Sequence, residues 1–404
     1  MRYHLVIWKR RIEDLIIWPF VAWGRWRASR APGEPAYDIW FLFPFFHTGG
    51  AEKVHAQLAQ AFAGRKAIIL FTRHSQDQRF RAEFEKTGHR VMDISAYTDQ
   101  KQRYWNNLVM RGRISHLINS QQKRPVVING QCNFAYKLSR WVRKDIPQVE
   151  LIHSLNSFSY IRIPFLPFYC ASVMISKNRI ADHLALYERY GIPSPYAERI
   201  IHIGNGVPMP ADPVTRNTRP DELHVLYAGR GTVEKRVHLV DAILRKARSN
   251  GQPVKGIFMG DVDAGLKVPK DPADEYLGNL SDPEKIEDAY QRADILIITS
   301  SEEGFPMVVM EAMGHGCAII ATPVGDIPLH VKPGVNGWLF TRTENEEEII
   351  SEGADYLEEA CRHRVGTERM GHGNIAYARA QFGLGMFEER WRALLDHINE
   401  EDRP

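Results

Sequence analysis

Short apolar runs recur along this chain, each closed by glycine, serine or another turn residue and each followed by a stretch of helical period. "DIWFLFPF" (38–45) is the first, read as a buried strand. The pair Gly49-Gly50 follows, and then Val54, Leu58, Ala61 and Phe62 recur at helical spacing. "AIILF" (67–71), "VVING" (126–130), "VELIH" (149–153) and "ASVMIS" (171–176) repeat the run. Around residue 206 the pattern restarts with "HVLYAG" (224–229) and a helix marked by Val237, Val240, Ile243, Leu244 and Ala247. "KGIFMG" (255–260), "ADILIITS" (293–300) and "CAIIAT" (317–322) continue it. Strands too apolar to face water, alternating with helices, predict parallel sheets covered on both faces. The turn-rich "HIGNGVPMPADP" (202–213) reads as a hinge between two such domains.

At 404 residues the chain suits two domains. Its four cysteines, Cys132, Cys170, Cys317 and Cys361, are far apart and form no CxxC pair, so neither a zinc site nor a disulfide framework is expected, and a reducing, cytoplasmic compartment fits. The net charge of +3 is uneven. Residues 1–30 carry seven cations against Glu13 and Asp14, a net +5, which leaves the rest at −2. The body is therefore not basic, and no nucleic-acid partner is expected. The basic segment also holds Trp8, Trp18, Trp23 and Trp26, and its uncharged run, Leu15 to Gly24, is too short to span a bilayer, which takes about 20 residues. Two readings stand: a helix on the inner face of the cell membrane, where tryptophan and arginine both find partners, or a helix packed on its own domain.

Ligands in open α/β sheets lie beyond the carboxyl ends of the strands, and the chemistry-bearing residues fall at such ends. Glu303 follows the run 293–300, and Pro306 is placed to open the next helix, which carries Met307, Val308, Val309, Met310, Ala312 and Met313. The free amides of that helix's first turn favour an anion, and Glu311 lies two turns on. Two acceptor carboxylates flanking an anion-binding turn suit a ligand with phosphate in the middle and hydroxyls at both ends, as in a sugar nucleotide. The alternative for Glu311 is a buried structural acid. Arg230 and Lys235 sit in the glycine turn after 224–229 and can converge on a diphosphate. Exposed basic loops of this kind are also often merely solvated.

Glu303-x7-Glu311 within "EGFPMVVMEAMGHGCAIIATPVGDIP" resembles the signature of the retaining GT-B glycosyltransferases of family GT4. "GRGTVEKR" resembles that family's phosphate-binding turn, "HTGGAEKV" its N-terminal glycine turn, and "IGNGV" its linker. The order and spacing match from about residue 38 to the C-terminus. The resemblance implies a GT-B fold, two Rossmann-like doubly wound domains facing across a cleft. The expected layout is a basic, Trp-rich segment (1–35), an acceptor domain (36–203) completed by a C-terminal helix (about 383–404), and a nucleotide-sugar donor domain (204–382).

The same resemblance implies the roles. Glu303 accepts from the donor sugar's hydroxyls, Glu311 holds the ribose, and Arg230 and Lys235 clamp the diphosphate with help from the amides of Phe305 to Met307. Gly49 and Gly50 let backbone approach phosphate or acceptor, and the base lies against "YLGNLSD" (276–282), read by backbone at Leu280. His153 touches the transferred sugar, although a lone strand-end histidine is otherwise more often structural. Gly231, Arg236 and Leu329 depart from the family pattern, and Arg236 is expected to add a third cation or to face solvent. Asp261-Val262-Asp263 reads as a turn rather than a metal motif, and no metal is required. The expected function is transfer of a sugar from a nucleotide sugar to a saccharide or lipid-linked acceptor in envelope or polysaccharide biosynthesis. The rivals are an epimerase of the same fold and a non-catalytic nucleotide-sugar-binding protein at the membrane.

Overall fold

The computed structural model describes residues 2–401, apart from residues 32, 48, 79, 212, 215, 218 and 220 and the side chains of Phe158 and Glu401. Asp212 of the expected hinge and Thr48 of "HTGGAEKV" thus lie outside the described residues. The chain divides into two compact units, Met1–Gly204 with Phe387–Pro404, and Asn205–Met386.

The first unit is built on seven strands: β1 (Ile39–Phe43), β2 (Ala67–Phe71), β3 (Arg90–Asp93), β4 (Val126–Asn129), β5 (Gln148–Ile152), β6 (Ala171–Met174) and β7 (Ile200–His202). All pair in parallel, in the order β3-β2-β1-β4-β5-β6-β7. The second holds β8 (Leu223–Ala228), β9 (Val254–Met259), β10 (Glu275–Gly278), β11 (Ile295–Ile298), β12 (Ala318–Ala321) and β13 (Gly337–Leu339), again parallel, in the order β10-β9-β8-β11-β12-β13. Central strands are buried on both faces. Val225, Tyr227, Ile295 and Ile297 enter one core, with the helices Val237–Ser249 and Glu346–Arg362. Leu226, Ala228, Leu296 and Ile298 enter the other, with Met307–Gly314 and Arg364–Phe382. This two-sided burial is why the strands read as unbroken apolar runs.

The direction of winding reverses between β1 and β4 in the first sheet and between β8 and β11 in the second. Loops leaving the carboxyl ends of neighbouring strands diverge there and open a crevice. The glycine turn 229–235 leaves β8, and the loop 299–306 leaves β11, so topology alone sets these two segments side by side.

The N-terminal segment forms one helix, Arg2–Ser29. Its buried side, with Tyr3, Asp14, Val21, Gly24 and Ala28, packs on the helix Tyr104–Asn119. Backbones touch there: a Cβ on Gly24 would stand 2.0 Å from the Val109 carbonyl oxygen, and one on Gly112 2.0 Å from that of Val21. Arg25 donates to the Trp141 carbonyl at 2.7 Å, and Asp14 is paired with Arg10 (3.0 Å) and Arg140 (2.8 Å). The segment is thus part of the first unit. Its opposite side exposes Leu5, Trp8, Ile12, Leu15 and Ile16. Among the described residues no helix is long and apolar enough to cross a membrane. The last helix, Leu384–Glu401, leaves the second unit and returns to the first, where Trp391 is fully buried and Arg392 donates to the Ala61 carbonyl at 2.9 Å.

Candidate active site

In the second unit the structure joins Lys235 to Glu303. The ammonium donates to Glu303 Oε1 at 2.5 Å, and the Ser300 hydroxyl donates to the same oxygen at 2.7 Å. Both side chains are partly buried. The loop carrying Glu303 is braced from behind: Asp326 N donates to the Gly304 carbonyl at 2.7 Å. Gly325 permits this approach, because its φ is +57° and a Cβ there would stand 2.0 Å from that carbonyl oxygen. The two loops are also stitched together by Ser301 N, which donates to the Glu234 carbonyl at 2.8 Å.

Arg236 is neither a third cation at the site nor a solvated one. It is buried at φ +49°, and its guanidinium donates to the carbonyls of Thr299 (2.7 Å), Ser300 (3.2 Å) and Thr343 (2.5 Å). The five guanidinium donors suit this task, since strand-end carbonyls beyond the last ladder bond need partners. Arg236 therefore locks the turn onto the end of β11 and aims the residue before it, Lys235, at Glu303. Arg230 lies exposed, with its carbonyl accepting from the Tyr227 hydroxyl at 2.7 Å. Burial pushes the Tyr227 phenol up, and the nearby Glu303 adds to this.

Glu311 is half-buried on the helix Met307–Gly314, which Pro306 precedes as an extended cap residue rather than opening it as its first residue. The Tyr290 hydroxyl donates to Glu311 Oε2 at 2.8 Å. Burial, with Glu311 second, raises the Tyr290 phenol well above its ordinary value, which keeps it a donor. Tyr290 is stacked on His315 at 5.0 Å, whose Nδ1 lies 2.8 Å from the Glu311 carbonyl oxygen. Phe305 is buried against His330 and Phe382 and anchors the helix mouth.

At the carboxyl ends of β9 and β10 lies a cavity of ≈ 330 Å³ lined by Gly260, Asp261, Lys270, Tyr276, Gly278 and Asn279, among others. Leu280 stands just beyond this lining, half-buried. Asp263 belongs to a tight turn, Asp263–Gly265, and pairs with Lys270 at 2.6 Å.

In the first unit Gly49 caps the helix Gly50–Gln60 in an extended conformation. His153, at the end of β5, is held by Gln131, whose Oε1 accepts from His153 N at 3.1 Å. Gln131 adopts φ +55°, a left-handed conformation a non-glycine residue takes only when its surroundings impose it. His153 Nε2 lies 2.9 Å from Nε2 of His55.

Sequence reasoning missed Ser300, Tyr290, Gln131 and His55. For His55 a signal existed, since it falls on the helix face that carries Leu58 and Ala59, where a polar residue stands out. Nothing in the sequence singles out Tyr290 or Ser300.

Residues 222–359 match the model of the family described as Glycosyl transferases group 1. The lipopolysaccharide 1,2-N-acetylglucosaminetransferase of Salmonella typhimurium is 26% identical over 271 residues, 61% of this chain and 67% of that protein. A D-inositol 3-phosphate glycosyltransferase of Corynebacterium diphtheriae is 31% identical over 96 residues, 24% of this chain and 21% of its own length. Among solved structures, Anabaena HepE in complex with UDP and glucose superposes with a TM-score of 0.68 at 18% identity, over 89% of this chain and 99% of HepE. The lipopolysaccharide outer core galactosyltransferase WaaB in its apo form gives 0.64 at 18% identity, over 89% and 99%. These likenesses show the fold, that of the GT-B glycosyltransferases.

Proposed function

We propose that this chain, a glycosyltransferase of the group 1 family, moves a sugar from a nucleoside diphosphate donor to a hydroxyl of a saccharide or lipid-linked acceptor, with retention of configuration. The observation that carries this reading is the meeting of Lys235, Ser300 and Glu303 where the loops from β8 and β11 come together. Arg230, Lys235 and the helix mouth at Phe305–Met307 receive the diphosphate. Negative charge grows on it as the sugar leaves, and fixed cations lower that barrier. Glu303 accepts from the sugar's hydroxyls, with Ser300 holding its carboxylate. Glu311, held by Tyr290, accepts from the ribose, and the base takes the cavity beside Tyr276 and Gly278, next to Leu280. His153 is assigned to the transferred sugar, and Gly49 and Gly50 to phosphate or acceptor. The departing phosphate oxygen takes the acceptor proton, so no protein nucleophile is needed. With two cations and helix amides available, the reaction is proposed to run without metal.

The likeness to the Salmonella enzyme supports an acceptor in envelope or polysaccharide synthesis, and the UDP bound by HepE makes uridine diphosphate sugars the first to try. A thermal-shift screen of nucleoside diphosphate sugars, followed by anomeric analysis of the product, tests the reading. No stabilisation by any donor, or an inverted anomer, would refute it.

The exposed stripe of the helix Arg2–Ser29 supports a place on the cytoplasmic face of an anionic membrane. Leu5, Trp8, Ile12, Leu15 and Ile16 stand opposite the packed side, with Arg27 and Arg30 over the rings of Trp23 and Trp26 at 5.4 and 4.0 Å. Apolar rings beside cations suit the headgroup boundary. Leu15→Glu with Ile16→Glu is expected to release the full-length protein from anionic vesicles. Undiminished co-sedimentation would rule this placement out.

A further inference from the structure

The contact between His55 and His153 plays no part in the scheme above. Their Nε2 atoms lie 2.9 Å apart, with ring centroids 4.8 Å apart and planes crossed at 71°. His55 is buried, stacked flat on Phe43 at 4.3 Å, beneath Gly130, where a Cβ would stand 2.5 Å from its Nε2. Burial lowers both residues, His55 well below its ordinary value with His153 adding to it, and His153 to about 4. Two neutral rings carry two protons on four nitrogens. At 2.9 Å, one of the facing Nε2 atoms donates and the other accepts.

The far nitrogen of His55 decides which. His55 Nδ1 is buried and, among the described residues, has no hydrogen-bond partner. Were His153 the donor, the His55 proton would sit on that nitrogen as a buried N–H without an acceptor, an expensive and rare arrangement. With His55 as donor, the orphan is a bare lone pair, the milder defect.

We propose that His55 is a positioning residue, donating from Nε2 to His153 Nε2 and so fixing His153 as the Nδ1–H tautomer. His153 then meets a sugar oxygen only as a donor, and its Nε2 is closed to any proton from the acceptor hydroxyl. This rests on the assignment of His153 to the transferred sugar and sharpens it, because it removes His153 as a general base. The fold supports the arrangement from both sides: Phe43 of β1 fixes the His55 ring, and the left-handed Gln131 after β4 fixes the His153 backbone.

The tautomers are read by two-bond proton–nitrogen correlation on the full-length protein with nitrogen-15 histidine. His153 signals are identified by their loss in His153→Gln, and those of His55 by their loss in His55→Gln. The expected pattern is a protonated Nδ1 and bare Nε2 for His153, and the reverse for His55. The opposite pattern, or a cationic ring on either residue at neutral pH, overturns the proposal. This readout needs no substrate, so its failure is distinct from a failure of the sugar-transfer reading. In turnover, His55→Leu is expected to lower kcat about tenfold with the donor KM within about twofold, the scale of one lost positioning hydrogen bond. His55→Gln, whose amide can still donate, is expected to recover most of it. Equal losses in both variants, or none in His55→Leu, would overturn the donor role. Should the leucine variant fail to fold, the His153 tautomer in His55→Gln decides: Nδ1–H upholds the proposal and Nε2–H ends it.

Discussion

The glycine turns after β1 and β8 are written alike and built differently. "GGAEKV" runs straight into the helix Gly50–Gln60, and Glu52 in its first turn folds back, so that a Cβ on Gly49 would stand 2.2 Å from the carboxylate. "GRGTVEKRV" instead makes a tight turn, Val233–Lys235, then a left-handed residue, Arg236, before its helix begins at Val237. The acids take opposite places. Glu52 is buried, and burial raises its pKa, while Glu234 lies exposed and the Thr232 hydroxyl lowers its own. The first turn is occupied by the chain's own buried carboxyl, and the second presents Arg230 and Lys235. One extra residue, whose side chain is tied to three carbonyls, accounts for the reversal. Similar spelling at two strand ends therefore says where a ligand loop lies, and the buried side chain says what charge it offers.

This contrast breaks first at Arg230. If the second turn meets a departing diphosphate, Arg230→Ala raises the barrier by about 3 kcal/mol, near 100-fold in kcat, as for loss of one oxyanion donor. Because the side chain is exposed, the melting temperature should hold. Turnover within a few-fold of wild type would return this turn to the status of a solvated loop. Arg236 comes next. Arg236→Ala strips the donors from the carbonyls of Thr299, Ser300 and Thr343, and about 2–3 kcal/mol of stability should go with them. Arg236→Gly loses the same bonds but accepts the left-handed backbone, so its denaturant midpoint should indicate about 1 kcal/mol more stability than the alanine variant. If glycine and alanine prove equal, the turn has relaxed and the backbone is not held there.

What the sequence made legible follows from which strands are covered twice. Each central strand was readable as an apolar run: "AIILF" is β2 residue for residue, and "VVING" and "HVLYAG" differ from β4 and β8 by a residue or so at the ends. The four strands that escaped, β3, β7, β10 and β13, are the four edges. "RVMD" and "EYLG" are half-exposed and mixed, so no apolar run marks them. Of the site, Glu303 and Lys235 were legible because strand-end acids and cations are chemically conspicuous. Their direct pairing was not, since it depends on the neighbouring of β8 and β11. Arg236 was misread for the same reason. In sequence it is one more cation in a basic turn, and only carbonyls contributed by distant segments turn it inward.

The gentlest test lies in the first turn. Burial raises the Glu52 carboxyl, with its own backbone amide and His47 at 3.7 Å opposing the shift. The folded chain then holds this proton more tightly than the unfolded chain. Through this group, stability is greatest when the carboxyl is protonated and declines as pH rises through its raised pKa. At slightly alkaline pH the ionised acid is a net cost, and Glu52→Gln, which keeps an acceptor for the helix amides, should raise the melting temperature by about 2–4 °C, the scale of 1 kcal/mol in a unit of this size. The gain should shrink as pH is lowered toward the ordinary carboxylate range, where wild type also becomes neutral. A gain that instead grew on acidification would mean that the ionised carboxylate stabilises the turn. The first turn would then be an anion site already filled by its own chain, and the contrast with the cationic turn after β8 would be sharper still.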